Sequence, residues 1–216
     1  MNKLLIFDLD GTLIDSVGGI ANSVNRTLKK LDLPVVPDDV VAAAVGNGAR
    51  KLLERICGDL KLPVSFEDAL QIMLDFYADD PVCNTTLYPG VKDELALLQN
   101  NGWSMAIVSN KPQIISDKII DKLDIRQFIV ENIGGNSRFP LKPEPDAIYY
   151  LQQKYSASPE KTFMVGDNWT DIMAAENAGI KSVFCSFGIG VLQDQKPDGQ
   201  INHFTELGSC LNSLLI

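Results

Sequence analysis

The stretch LLIFDLDGTL at residues 4–13 decides the fold of this chain. Four apolar residues precede Asp8, and such a run is typical of a strand buried on both faces in a parallel sheet. Asp8 and Asp10 are two positions apart, so they point to the same side if the strand stays extended, and Gly11 then allows the chain to turn away. The stretch therefore predicts two crowded carboxylates at a strand end. Open α/β sheets bind ligands at such ends, and a cation or a proton relieves the repulsion between the carboxylates.

The composition is that of an ordinary globular chain with an acidic balance. Its 216 residues are 45% hydrophobic and 22% charged, and the formal net charge is −9. Nucleic acid and anionic membranes are disfavoured as partners, because phosphate backbones need clustered Lys and Arg. Small anionic substrates stay compatible with this charge, since a bound cation reverses the local field.

The cysteine and histidine content argues against several kinds of site. The four cysteines are far apart and form no Cys-x-x-Cys pair, which disfavours structural zinc and favours reduced thiols. The single histidine, His203, leaves little material for histidine-based catalysis. Neither a signal peptide nor a run of transmembrane length is recognisable, so we expect a cytoplasmic protein without membrane partners, either monomeric or dimeric.

Residues 16–83 are predicted to form a helical insertion after the first strand. Apolar residues at helical spacing predict helices at about 15–31, 40–45, 49–56 and 66–77, and nothing between residues 16 and 83 alternates like a strand. Gly18 and Gly19 weaken the first turn of the first helix.

Strands and helices then alternate. Apolar runs predict strands at 103–108, 128–133, 162–165, 181–185 and, at an edge, 201–204, and helices at 91–99, 112–123, 146–155, 171–178 and 207–215. This order predicts an α/β fold with a Rossmann-like parallel sheet. We expect a core of residues 1–15 and 84–216 with a helical cap domain inserted at 16–83.

Polar side chains follow three of these strands, at the edge where parallel strands end together. The candidate residues at or beside these ends are Asp8, Asp10, Ser109, Asn110, Lys142, Asp167 and Asp171. Carboxylates are the hard oxygen ligands that suit Mg²⁺, whereas a hydroxyl and an ammonium can hold phosphoryl oxygens. A carboxylate can also attack phosphorus, and a second one can protonate the leaving oxygen and then activate water. The set predicts phosphoryl transfer.

Four segments resemble the motifs of the haloacid dehalogenase-like hydrolases in order and spacing. They are DLDGTL at 8–13, VSNK at 108–111, LKPEPD at 141–146 and VGDNWTD at 165–171. The resemblance covers nearly the whole chain and implies that Asp8 is the nucleophile and Asp10 the acid and base. It also implies a Mg²⁺ ion held by Asp8, the backbone carbonyl of Asp10, Asp167 and Asp171.

We expect Lys142 to act in catalysis and, with Ser109 and Asn110, to bind substrate. Within the family the chain is most similar to the phosphoglycolate phosphatase group, through Asp15-Ser16, Leu33-Pro34 and VGNG at 45–48. Gly18-Gly19 departs from that group, which commonly has a proline and an acid there. We therefore expect a phosphatase that acts on a small phosphorylated metabolite such as 2-phosphoglycolate.

Arg50 is a candidate residue for determining substrate specificity. It follows Gly46-Asn47-Gly48, where two glycines let the backbone bend and expose amides at the start of a helix, a place suited to an anion. Arg50 can pair a carboxylate bidentately, which Lys51 cannot. An ordinary loop with a solvated Arg50 is an equal alternative.

Two other functions stay open from the sequence. One is a phosphosugar mutase of the same superfamily. The other is a receiver-like phospho-aspartate signalling module, although receivers are shorter, lack an inserted cap and lack a second acid two residues after the phosphorylated one.

Overall fold

The computed structural model of the chain describes residues 2–58 and 60–215. Its strands are β1 (Asn2–Phe7), β2 (Ile14–Asp15), β3 (Thr86–Leu87), β4 (Trp103–Val108), β5 (Glu131–Ile133), β6 (Ala157–Gly166), β7 (Lys181–Cys185) and β8 (Gly199–Ile201). The main sheet runs β5-β4-β1-β6-β7-β8, and its neighbouring strands are parallel. The predicted α/β fold with a Rossmann-like parallel sheet is confirmed.

Helices surround this sheet. They are α1 (Val17–Lys30), α2 (Asp38–Ala42), α3 (Gly48–Cys57), α4 (Phe66–Asp79), α5 (Val91–Asn100), α6 (Gln113–Lys122), α7 (Asp146–Tyr155), α8 (Trp169–Ala178) and α9 (Leu207–Leu214), with 3₁₀ turns at Arg126–Phe128 and Phe204–Glu206. The first of these turns occupies part of the stretch predicted as the third strand, so β5 begins only at Glu131. Among the described residues, no helix combines the length and the apolarity needed to cross a membrane.

The central strand β1 fixes the geometry of the sheet. Leu4, Leu5, Ile6 and Phe7 are fully buried. Leu5 and Phe7 join one hydrophobic cluster and Leu4 and Ile6 the other, because successive side chains of a strand point to opposite faces. The strand lies between β4 and β6, so the polar residues that follow these three strands meet at one edge.

The helices α1 to α4 form the segment between β2 and β3, which pair antiparallel over two residues each. This small ribbon was not predicted, since two residues carry no readable alternation. Gly18 and Gly19 lie against the chain that returns to the sheet: a Cβ on Gly18 would be 2.7 Å from Asn84 Cβ, and one on Gly19 would be 2.4 Å from Thr85 Oγ1. Their lack of side chains lets α1 approach that chain. The domain boundaries at 16 and 83 stay a prediction.

Candidate active site

Three carboxylates gather where β1 and β6 end. Asp8 follows β1, Asp167 follows β6, and Asp171 lies in the first turn of α8. Each offers one oxygen, and these atoms all lie within 4.8 Å of one another. Asp171 Oδ2 also accepts a hydrogen bond from the backbone N–H of Asn168 at 3.0 Å, which closes a capping box at the start of α8. The predicted acidic set is therefore brought together by adjacent strand ends and by one helix cap.

The electrostatics of this cluster fit a divalent cation. Burial, and then Asp8 and Asp171, raise the pKa of Asp167 to about 8, and burial raises the pKa of Asp171 to about 6. The buried oxygens Asp8 Oδ1 and Asp171 Oδ1 make no hydrogen bond of ordinary geometry within the described chain. Hard carboxylate oxygens that repel one another in a buried site are a donor set suited to Mg²⁺.

Lys142 is the ammonium beside this cluster. Its Nζ lies 2.9 Å from Asp8 Oδ1 and 2.6 Å from Asp171 Oδ1. Burial opposes the charge of Lys142, but Asp171 and Asp8 outweigh it, so the pKa of Lys142 is raised above its ordinary value. The lysine therefore stays charged, and it balances only part of the charge of the three carboxylates. The peptide bond between Lys142 and Pro143 is cis.

Asp167 is held by groups that the sequence did not single out. Its Oδ2 accepts hydrogen bonds from the backbone N–H groups of Ile189 at 2.9 Å and Gly190 at 2.7 Å. The Thr12 hydroxyl contacts its Oδ1 at 3.2 Å. Gly188 and Gly190 follow β7, and a Cβ on Gly188 would lie 2.3 Å from Asp167 Cβ. The loop after β7 thus orients the carboxylate.

Asp10 has its own cation, which the sequence analysis missed. Lys111 Nζ donates to Asp10 Oδ1 at 2.8 Å and to Oδ2 at 2.9 Å, and the Ser16 hydroxyl also donates to Asp10 Oδ1. Lys111 Nζ further contacts the Tyr77 hydroxyl of α4 at 2.5 Å. Burial lowers the pKa of Lys111, but Asp10 and Tyr77 together raise it to about 12. Lys111 belonged to the quoted VSNK segment, although nothing in that segment linked it to Tyr77.

Ser109 and Asn110 follow β4 and lie at the same edge. The Ser109 Oγ accepts from the backbone N–H of Lys111 at 3.3 Å. Asn110 Oδ1 accepts from the backbone N–H of Lys142 at 2.9 Å, and its Nδ2 donates to the carbonyls of Lys142 at 3.2 Å and Gly46 at 3.1 Å. The side-chain amide of Asn110 thus makes its hydrogen bonds to backbone groups, and the role of Asn110 in substrate binding stays a prediction.

A cavity of about 60 Å³ opens between the strand ends and the helices α1, α3 and α4. Its polar wall includes Asp8, Asp10, Ser109 and Lys111. The wall formed by the helices and the loop before α3 is mostly apolar and includes Ile20, Val45, Leu52 and Met73, with Ser23 and Tyr77 as its hydroxyl-bearing residues. The cavity suits a small polar ligand with a short apolar part.

Arg50 is not among the residues that line this cavity. Its guanidinium NH2 lies 2.6 Å from Glu67 Oε2, and both side chains are more than half exposed. The structure therefore places Arg50 on the surface in an ion pair, in line with the alternative of a solvated arginine, and its substrate role stays a prediction.

Comparisons with known proteins agree with this geometry. A family model described as haloacid dehalogenase-like hydrolase matches residues 5–185. A phosphoglycolate phosphatase of Pasteurella multocida is 35% identical over 215 residues, which are 95% of this chain and 96% of the relative. A phosphoglycolate phosphatase of Aquifex aeolicus is 32% identical over 214 residues, with 99% of each chain covered.

A solved structure shows the same fold. It is a crystal structure of a predicted phosphoglycolate phosphatase from Haemophilus somnus, with a TM-score of 0.90 and 32% identity. The match covers 96% of this chain and 97% of that one. The parallel sheet and its helical insertion are thus shared along nearly the full length of both chains.

Proposed function

The chain belongs to the haloacid dehalogenase-like hydrolase family, and on that basis we propose that it is a Mg²⁺-dependent phosphatase whose substrate is 2-phosphoglycolate. The substrate comes from the names of the relatives, which are phosphoglycolate phosphatases. The observation that carries the proposal is that Asp8 lines the cavity next to both Asp10 and the acidic cluster.

The chemistry divides into two steps on the side chains of this protein. A carboxylate oxygen of Asp8 attacks phosphorus, the bond from phosphorus to the leaving oxygen breaks, and Asp10 gives that oxygen a proton. Asp10 then takes a proton from water, the water oxygen attacks the phosphorus of the aspartyl-phosphate, and the bond to Asp8 breaks. Phosphate leaves and both aspartates return to their starting forms.

The remaining polar groups act on the phosphoryl oxygens. The Ser109 hydroxyl and the Lys142 ammonium hold these oxygens as charge shifts in the transition state. Asp8, Asp167, Asp171 and the backbone carbonyl of Asp10 would hold Mg²⁺. When bound, the ion supplies positive charge that offsets the phosphoryl oxygens and the three carboxylates.

A substrate panel with Mg²⁺ tests this function. We expect release of inorganic phosphate from 2-phosphoglycolate at a higher kcat/KM than from hexose phosphates. A phosphosugar mutase would instead return an isomeric phosphate ester, and a receiver would not turn over simple phosphate esters. Acid-quenched single turnovers, digested and analysed by mass spectrometry, should place the phosphoryl group on the peptide that carries Asp8. The absence of phosphate release from every ester would overturn the proposal.

A further inference from the structure

The two buried lysines of the site contact different carboxylates. Lys142 contacts Asp8 and Asp171, so it belongs to the side of the nucleophile and the acidic cluster. Lys111 contacts both oxygens of Asp10, the residue that gives a proton to the leaving oxygen. In the proposed mechanism the leaving oxygen lies next to Asp10, and Lys111 lines the same cavity as Asp10. Lys111 is therefore close enough to contact the part of the substrate beyond the phosphate.

Tyr77 forms a polar pair with Lys111 in the cavity, beside a mostly apolar wall. Its hydroxyl oxygen accepts from Lys111 Nζ at 2.5 Å, but within the described chain the hydroxyl has no second contact that could accept its own proton. The side chain is 5% exposed, and burial raises its pKa to about 12, so the phenol keeps that proton. Because Tyr77 lines the cavity, the donor is available to a ligand there. A buried donor without an acceptor costs free energy until a ligand supplies one.

We propose that Lys111 and Tyr77 form a carboxylate subsite, which selects small phosphate monoesters whose leaving group carries an anion. The inference rests on the proposed function and names the residues that recognise its substrate. The ammonium supplies the charge and the phenol supplies a directed hydrogen bond, and the apolar side chains Leu52 and Met73 of the same wall limit competition from water. The proposal gives this role to Lys111 and Tyr77 rather than to Arg50, which pairs with Glu67 on the surface.

Two esters of the same shape give a direct test. 2-Phosphoglycolate carries a carboxylate where ethyl phosphate carries a methyl group, and the ratio of their kcat/KM values measures recognition of the anion. We expect Tyr77→Phe to lower this ratio about tenfold to a hundredfold, the loss of one hydrogen bond to a charged group. Lys111→Met should lower it further. Tyr149→Phe and Lys51→Met are the matched controls, because both residues lie on the surface and outside the cavity.

A binding measurement separates recognition from chemistry. Glycolate should inhibit hydrolysis of ethyl phosphate competitively in the wild type, and in Tyr77→Phe its inhibition constant should rise by a larger factor than KM for ethyl phosphate does. Tyr77→Phe keeps the contact between Lys111 and Asp10, so it remains informative even if Lys111→Met does not fold.

The outcomes distinguish the two proposals. If the wild type hydrolyses neither ester, the proposed function fails. If it hydrolyses both with equal kcat/KM, or if Tyr77→Phe keeps the wild-type ratio, the enzyme is a phosphatase and the subsite is overturned. A ratio that falls in Arg50→Ala but not in Tyr77→Phe would also overturn it and would return the role to Arg50.

Discussion

Asn110 donates a hydrogen bond from its side-chain Nδ2 to the backbone carbonyl of Gly46, over 3.1 Å. This bond joins the end of β4 to the loop before α3. The same side chain binds the backbone N–H and carbonyl of Lys142, so one amide connects the helical segment, the sheet edge and Lys142. A movement of the loop that breaks the bond to Gly46 would therefore remove one of the three hydrogen bonds that hold the Asn110 side chain beside Lys142.

Asn110→Ala should reduce activity through both neighbours. The substitution leaves the carbonyl of Gly46 and two backbone groups of Lys142 without a partner, and each buried unsatisfied group costs about 1–3 kcal/mol. We expect kcat/KM to fall tenfold or more, with faster amide hydrogen exchange around Gly46 and Lys142. Asn101→Ala, at an exposed residue, is the control. Wild-type exchange rates in Asn110→Ala would show that the amide does not hold the loop.

Asp8→Asn should remove turnover and leave the fold intact. The amide has nearly the size of the carboxylate but cannot attack phosphorus. Asp10→Asn should also be severe, because the leaving oxygen then has no acid and the water no base. Phosphate release and far-ultraviolet circular dichroism measure the two properties. More than a few percent of wild-type activity in purified Asp8→Asn would exclude it as the nucleophile.

Mg²⁺ should raise the melting temperature of the wild type, and excess chelator should abolish its activity. A ligand that binds only the folded state stabilises it, and here it also relieves the repulsion among Asp8, Asp167 and Asp171. In Asp167→Asn the shift should be largely lost. Without metal and above pH 8, this variant should melt at or above the wild-type temperature, because burial raises the pKa of Asp167 to about 8 and the buried carboxylate is charged only above that pH. Asp93→Asn, at an exposed residue of α5, should keep the full shift. An equal shift in Asp167→Asn would remove Asp167 from the metal site.

The sequence predicted those parts of the site that depend on parallel strands. Buried runs located β1 and β4 closely, and strand ends in one sheet meet, so Asp8 and Asp167 were expected together and are found together. The contact between Lys111 and Tyr77 could not be predicted in this way. It joins a strand end to a helix 34 positions earlier, and that pairing depends on how α4 packs against α1 and α6.

Arg50 illustrates a second limit of the sequence. The glycine-flanked loop was correctly identified as the start of a helix, and α3 begins at Gly48. Which side chains of that helix face the cavity depends on its rotation, and the structure turns Ala49 and Leu52 inward while Arg50 pairs with Glu67. Sequence spacing alone does not determine this rotation, because the short α3 is oriented by its packing against α4.

Gly46→Ala should impair catalysis more than its backbone strain alone explains. Gly46 has a φ of 115°, and an added Cβ would lie 2.6 Å from Asn168 Nδ2, so the loop would have to move away from the strand ends. Gly102 is the matched control: its φ of 80° is also positive, but a Cβ there meets nothing within 4 Å.

Both substitutions should cost roughly 1–2 kcal/mol of stability from the positive φ. Only Gly46→Ala should also lower kcat/KM. If the shifted loop breaks the hydrogen bond between the Gly46 carbonyl and Asn110, the unsatisfied group costs about 1–3 kcal/mol, and we expect kcat/KM to fall about tenfold or more. Thermal melts and steady-state kinetics on both variants measure the two effects. Equal kcat/KM values would mean that contact between this loop and Asn168 has no part in turnover.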